Sequence, residues 1–284
     1  MDYCRTFKPG VVLVAILLAA AMCPPGACSE EKGSRELFRP VPQHKAMSLP
    51  AESEQRLSAI RKDVTTKNLW VVEINLDLLQ SKSLTLNVNT DTPLDASTAR
   101  VEKRSTKDFT WFGKIGGPKA QGQAVLTVKD GQVFGTIQSD KGQYEVVPLG
   151  SGQYAIVEVD QSKFPPDEGH DVMEMEEEPQ SIQKPEGEPR SDSVDRSERT
   201  AEGKYIVRVI VAYTAAARTK AGGTANMEGE IQKAVDLTNQ SYGNSRINVL
   251  MVLAHSFETA YDESRTSWPE DLKRFRVKAD GHMD

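Results

Sequence analysis

Residues 124–137 read Ala-Val-Leu-Thr-Val-Lys-Asp-Gly-Gln-Val-Phe-Gly-Thr-Ile. Two alternating runs, Ala124–Lys129 and Gln132–Ile137, flank the dipeptide Asp130-Gly131. Alternation at period two marks a strand with two unlike faces. Asp-Gly supplies the positive φ angles of a type I′ turn, so the stretch is a β-hairpin. Outward from it the same punctuation recurs. Trp70–Leu76 alternates after its start, and Leu84–Val88 alternates cleanly. Phe109–Ile115 is closed by Gly116-Gly117. Tyr144–Val147 and Tyr154–Val159 are separated by Gly150-Ser151-Gly152. About seven short strands with glycine turns predict an antiparallel all-β domain over roughly 67–160. Gly113-x-x-Gly116 and Gly116-Gly117 read as turns of that domain, not as phosphate loops.

Residues 161–203 break the pattern. They hold thirteen acids against five bases, recurrent proline, and Phe164 as the one aromatic. Such a segment cannot bury enough apolar surface to offset its ordering entropy, which predicts a disordered acidic linker. The run Glu174–Glu178 is read as solvated charge rather than as a metal site.

Beyond the linker, Tyr205–Tyr213 is a near-continuous β-branched run, which suits a strand buried on both faces. Gly222-Gly223-Thr224 interrupts the chain. Ile231, Ala234, Val235, Thr238 and Tyr242 then recur at helical spacing across Met227–Tyr242, and Gly243-Asn244-Ser245 ends that helix. Ile247–Leu253 is a second buried strand. Strand, helix, strand predicts a βαβ unit with parallel strands and a right-handed crossover. Ser267-Trp268-Pro269-Glu270 fits a capping box opening a helix with Leu272 and Phe275. The sequence stops at Asp280-Gly281-His282-Met283-Asp284. Two strands are too few for a covered parallel sheet, so 204–284 is expected to be a domain cut off partway.

At the other end, Arg5 and Lys8 precede the apolar run Val11–Met22, and small residues follow. A bilayer span takes about 20 apolar residues, so this shorter run reads as a secretory signal peptide over 1–28, and the chain is expected to be secreted. Residues 29–66 are polar without a clear period. They read as a loose lead-in with a short helix at Glu52–Lys62. The 284 residues suggest two domains. The three cysteines, Cys4, Cys23 and Cys28, exclude a disulfide-stapled scaffold and a Cys-rich zinc module. A net charge of −6 argues against a nucleic-acid partner. The expected fold class is α+β overall: an all-β antiparallel domain, then an incomplete α/β domain.

Several of these residues together resemble a known family. Val209–Thr214 with Ala217-Arg218, Ala234-Val235 with Thr238–Tyr242, Asn244–Ile247, Asp271-Leu272 and Asp280–Asp284 resemble the first half of the catalytic domain of secreted, reprolysin-like zinc metalloproteases, which are metzincins. Trp111–Ile115, Gly131 and Gly135–Ile137 resemble the propeptide that precedes such domains, and Phe38-Arg39-Pro40-Val41 resembles its start. The resemblance implies a zymogen whose β domain covers the active-site cleft until proteolysis removes it. It also implies a zinc cofactor and a protein or peptide substrate for the full-length enzyme. The family's chemistry rests on H-E-x-x-H-x-x-G-x-x-H, in which the histidines bind zinc and the Glu is general base. His44, His170, His255 and His282 are followed by Lys45, Asp171, Ser256 and Met283, so none begins that motif. On the family pattern the zinc helix would lie C-terminal to Asp284. No catalytic, cofactor-binding or metal residue is assigned, and no zinc is expected on this chain alone.

His255 is read as a structural cap at a strand end, and His282 as an exposed helix start. An activating protease is expected to cut the linker, where Arg196-Ser197-Glu198-Arg199 has an R-x-x-R spacing. Latency cannot use a propeptide cysteine, since none lies beyond Cys28. Asp167 and His170 are chemically able to bind zinc, but steric inhibition is the preferred reading. No membrane partner is expected after signal removal, and the rival reading is a secreted, non-catalytic binding or inhibitory protein built on the β domain.

Overall fold

The computed structural model describes residues 35–42, 49–89, 91–117, 122–164 and 198–262, together with Asp271 and Arg274. The expected signal peptide, His44, His170, His282, Asp167, most of the expected acidic linker and the expected capping box all lie outside the described residues.

The chain opens with strand β1 (Phe38–Pro40) and helix α1 (Ala51–Lys62). Eight strands follow: β2 (Thr66–Ile74), β3 (Ser83–Asn87), β4 (Pro93–Lys103), β5 (Phe109–Ile115), β6 (Gly122–Lys129), β7 (Gln132–Ser139), β8 (Gly142–Gly150) and β9 (Gln153–Val159). They form one antiparallel sheet in the order β1-β2-β9-β8-β7-β6-β5-β4-β3. The sheet curls until its ends nearly meet. Leu37 N–H donates to the Thr85 carbonyl at 2.9 Å, and Thr85 N–H donates to the Arg35 carbonyl at 2.8 Å. The Asn87 side-chain amide then takes the place of a strand partner for Phe38. Its Oδ1 accepts from Phe38 N–H at 3.1 Å and its Nδ2 donates to the Phe38 carbonyl. Closure of this kind removes the exposed edges that an open sheet would present.

The hairpin at 124–137 forms as its sequence dictates, with Asp130 at φ 50° and Gly131 at φ 80°. Alternate residues point inward. Trp111, Leu126, Val133, Ile137, Val146 and Ile156 are fully buried among one another. Trp111 Nε1 donates to Thr98 Oγ1 at 2.9 Å, so the indole is satisfied as well as packed. Gly113 lies within β5 rather than in a turn. The Trp111 ring covers it so closely that a β-carbon there would overlap the indole. Gly116, at φ 81°, does make a turn.

The lead-in is more ordered than its composition suggests. It supplies β1, which closes the sheet, and α1, which covers part of the outer face. Leu57 of α1 and Leu49 pack on Leu149, Ala155 and Val157. Strand β4 carries few apolar residues, and its sequence does not announce a strand. It is held by non-local pairing to β3 and β5, with Leu94 and Ala96 turned inward.

Of the segment 161–203 expected to be a linker, the two ends are described. Gln161–Lys163 form a 3-10 turn capped by the Asp160 carboxylate. At the far end, Arg199 bridges to Tyr205, and Arg208 holds Glu198 through contacts at 2.6 to 3.0 Å. Then come β10 (Tyr205–Thr214), α2 (Ala215–Ala221), α3 (Thr224–Asn244) and β11 (Val249–Thr259). Strands β10 and β11 pair in parallel around the crossover helix α3. The expectation that β10 is buried on both faces is corrected. Ile210 is 66% exposed and Val207 44%, because no further strand or layer covers them among the described residues. His255 is also not a strand-end cap. It stands exposed inside β11, stacked on Phe257 at 5.9 Å.

Candidate functional site

Helix α3 has two occupied faces. Ile231 and Val235, from the apolar stripe expected for this helix, are buried, whereas Ala234 is exposed. Asn239 ties the same side to β11, accepting from Met251 N–H and donating to the Met251 carbonyl, each at 2.8 Å. The second face is formed by Gly229, Lys233, Asp236 and Gln240, which recur one helical turn apart. That polar row would ordinarily be solvated. Here it lies on the outer face of β5, β6, β7 and β8.

Asp236 is the centre of this docking. The outward positions of β5 and β6 place Thr110 and Thr127 directly opposite each other. Thr110 Oγ1 donates to Asp236 Oδ2 at 2.5 Å, and Thr127 Oγ1 donates to the same oxygen at 2.7 Å. Asp236 Oδ1 accepts from Gln232 Nε2 at 3.0 Å and from Arg104 Nη1 at 3.3 Å. Both threonines are fully buried and Asp236 nearly so. Hydrogen bonds to an ionised acceptor are about twice as strong as neutral ones, and they compensate the burial of this carboxylate. Arg104 extends the network to Asp108 at 2.6 Å, and Lys129 Nζ reaches Asp108 at 3.0 Å. Burial opposes ionisation of Asp108, but the Arg104 and Lys129 cations outweigh it and hold its carboxyl below the usual range.

On either side of Asp236 the fit continues. Lys233 Nζ lies 2.6 Å from Glu230 and 3.3 Å from Glu145 on β8. Burial disfavours the Lys233 ammonium, yet the two carboxylates prevail and raise its pKa. Gly229 faces the fully buried Phe134 ring of β7, where a β-carbon would overlap it. Gln240 and Asn244 reach Gln123 of β6 at 3.5 and 3.3 Å. Beyond them opens a cleft of ≈ 1110 Å³, lined among others by Arg100, Phe112, Lys114 and Leu250. Arg56 of α1 lies against Gly222 ahead of α3. Burial pushes its guanidinium below the usual pKa, with Glu230 opposing, and its Nη1 has no hydrogen bond.

This arrangement holds α3 against the barrel. Among the described residues no three His, Cys, Asp or Glu side chains converge as a metal site. His255 is the one histidine described, and its ring partner is Phe257. The described donor set therefore does not fit zinc. Sequence reasoning misses the Asp236 site because polar residues on a helix read as a wet face. A partial signal exists in the outward threonines of β5 and β6, set among apolar neighbours.

Comparison with known proteins bears on both halves. Residues 50–162 match the BamI lipocalin-like domain. A Xanthomonas campestris pv. campestris protein named peptidyl-Asp metalloendopeptidase is 27% identical over 277 residues, covering 93% of this chain and 63% of that protein. Proteins of the same name from two Stenotrophomonas maltophilia strains are 29% identical over 204 residues and 27% over 288, covering 46% and 63% of their own lengths. The chain thus spans less than two thirds of these curated relatives. A solved structure described as "Structure of a chaperone-substrate complex" aligns with a TM-score of 0.28 at 13% identity, over 36% of this chain and 86% of that one, a likeness too slight to bear on the fold. By sequence, the chain is similar to proteins named metalloendopeptidases, and its residues 50–162 are similar to a lipocalin-like domain.

Proposed function

We propose that this chain is the N-terminal part of a secreted zinc metalloendopeptidase zymogen. The barrel is its propeptide, and the residues from Lys204 begin a metzincin-like α/β catalytic domain. The observation that carries the reading is the relation to peptidyl-Asp metalloendopeptidases along more than nine tenths of the chain in two of three cases. The parallel β10–α3–β11 unit and the buried docking of α3 on the barrel support it. The whole protein would hydrolyse peptide bonds adjoining aspartate, as its relatives' name states of them. Zinc would supply the activated water there, through ligands placed in this reading C-terminal to Asp284.

The test is expression of the complete open reading frame, read through codon 284. An H-E-x-x-H motif downstream and chelator-sensitive cleavage of an aspartyl peptide, rising after the linker is cut and the barrel removed, are expected. A frame without that motif, or a cut product with no peptidase activity, overturns the reading in favour of a binding protein.

A further inference from the structure

Every interaction described above between the barrel and α3 joins residues 35–164 to residues 198–262. They are made by described residues on the two sides of 165–197, the stretch in which the chain would be cut. We propose that the barrel is a separable binding partner for α3: after cleavage between Phe164 and Glu198 it stays bound to the 198–284 piece without a covalent link, with Asp236 as the determinant. This holds whatever reaction the whole protein performs.

Two properties of the surface carry the inference. The first is apolar. Phe134, Val125 and Phe112 sit at most 2% exposed on the outer face of the barrel. Phe112 also lies under the Arg100 guanidinium of the barrel itself, at 3.5 Å, whereas Phe134 is closed over by Gly229 of α3, and separation would return that ring to water. The second is polar and selective. A single carboxylate meets two cross-strand hydroxyls and a guanidinium, flanked by Lys233 on Glu145 and by the close approach of Gly229 to Phe134. A helix lacking that carboxylate would leave the Thr110 and Thr127 hydroxyls without their acceptor in a dry site, with Thr110 keeping only the bond that it accepts from Arg104. Buried hydrogen-bonded charge at an interface acts mainly on dissociation, which is the quantity that decides retention after a cut.

The experiment uses the whole chain, with the recognition site of a site-specific protease inserted after Pro185 and a tag at the barrel end. After cutting, the barrel is immobilised and release of the 198–284 piece is timed. The wild-type pieces are expected to stay together through gel filtration at micromolar concentration. Asp236→Ala should release the second piece about 30-fold faster. Thr127→Val removes the barrel's side of the bond and decides the question if Asp236→Ala does not fold. The near-UV circular dichroism of the buried Trp111 reports whether each barrel is intact. Wild-type pieces that part as fast as the variants', or an intact Thr127→Val chain that holds as tightly as wild type, would overturn the proposal.

Discussion

Thr127 and Asp236 stand 109 residues apart in the chain, yet Thr127 Oγ1 donates a 2.7 Å hydrogen bond to Asp236 Oδ2 out of reach of water. The bond joins the outer face of the barrel to α3, which also packs on β11. Its partner on the next strand, Thr110, makes the same contact at 2.5 Å. Asp236→Leu should therefore lower the urea midpoint of the chain by the equivalent of about 2–4 kcal/mol, since two buried hydroxyls lose their acceptor while Arg104 keeps only Asp108 and Thr110. Arg56→Met is the contrasting variant. Its buried Nη1 has no hydrogen bond, so removing the charge should leave the midpoint unchanged within about 0.5 kcal/mol or raise it. Equal losses in the two variants would show that the Asp236 network has no special weight.

Gly229→Ala sets two effects against each other. In a helix interior alanine is favoured over glycine by about 1 kcal/mol. The added methyl, however, would overlap the Phe134 ring, which has no free space to yield. Overpacking costs typically about 1–3 kcal/mol, so net destabilisation is expected by chemical denaturation. The double variant Gly229→Ala with Phe134→Leu should recover part of the loss. A stabilised single variant would mean that the helix does not sit this close to β7.

Acid should loosen the barrel through identified carboxylates. Burial raises the Glu158 carboxyl, but hydrogen bonds from Lys67 at 2.6 Å and Asn68 at 2.7 Å, with the Lys67 charge, outweigh it and depress its pKa below the usual 4.5. Asp108 is likewise held below 3.8 against its burial by Arg104 and Lys129. A depressed folded pKa contributes stability that is present above the ordinary value and is lost as pH falls through it toward the folded one. Thermal midpoints measured from about pH 6 down to about pH 3 should fall most steeply below the ordinary carboxylate values. Glu158→Gln and Asp108→Asn should each flatten that fall. A slope identical in both variants would assign the acid sensitivity elsewhere.

Processing should begin upstream of Glu198. Arg199 closes the R-x-x-R spacing, but its guanidinium lies over the Tyr205 ring at 3.8 Å and reaches Tyr205 Oη at 2.5 Å, while the Thr200 N–H pairs with the Lys204 carbonyl. A cut after Arg199 would have to unpair that turn first. Asp167, Asp171, Asp192 and Asp195 precede it. On the proposed function, the bonds adjoining them are those the whole protein would take in its own chain. N-terminal sequencing of early products should find new ends between Phe164 and Glu198. Replacing the four aspartates by alanine should slow conversion of the full-length protein if it processes itself. First cuts within β5–β9 would contradict both the linker and the barrel.

The hairpin at 124–137 is legible in sequence because its information is local: two alternating runs and an Asp-Gly turn. The parallel unit is legible too, since β-branched runs flanking a helical period admit few other arrangements. Strand β4 is not, because Ala96-Ser97-Thr98-Ala99 says nothing of its two neighbours and is held by pairing that only the closed sheet provides. Gly113 misleads for a related reason, as its role is to lie under Trp111 rather than to turn the chain. The docking face of α3 is hidden most thoroughly. Lys233, Asp236 and Gln240 look like solvent-facing residues until the threonines of another element come to meet them.

Because α3 serves the barrel with one side and β11 with the other, neither half of this molecule is free to drift alone. A lineage that enlarges Gly229 must shrink Phe134. One that loses Asp236 must replace Thr110 and Thr127 with side chains content without an acceptor. The record of that constraint should be paired change between residues 104–145 and 229–244 across homologues. Residues enclosed within the barrel, such as Leu126 and Ile156, should vary together among themselves and take no part in it.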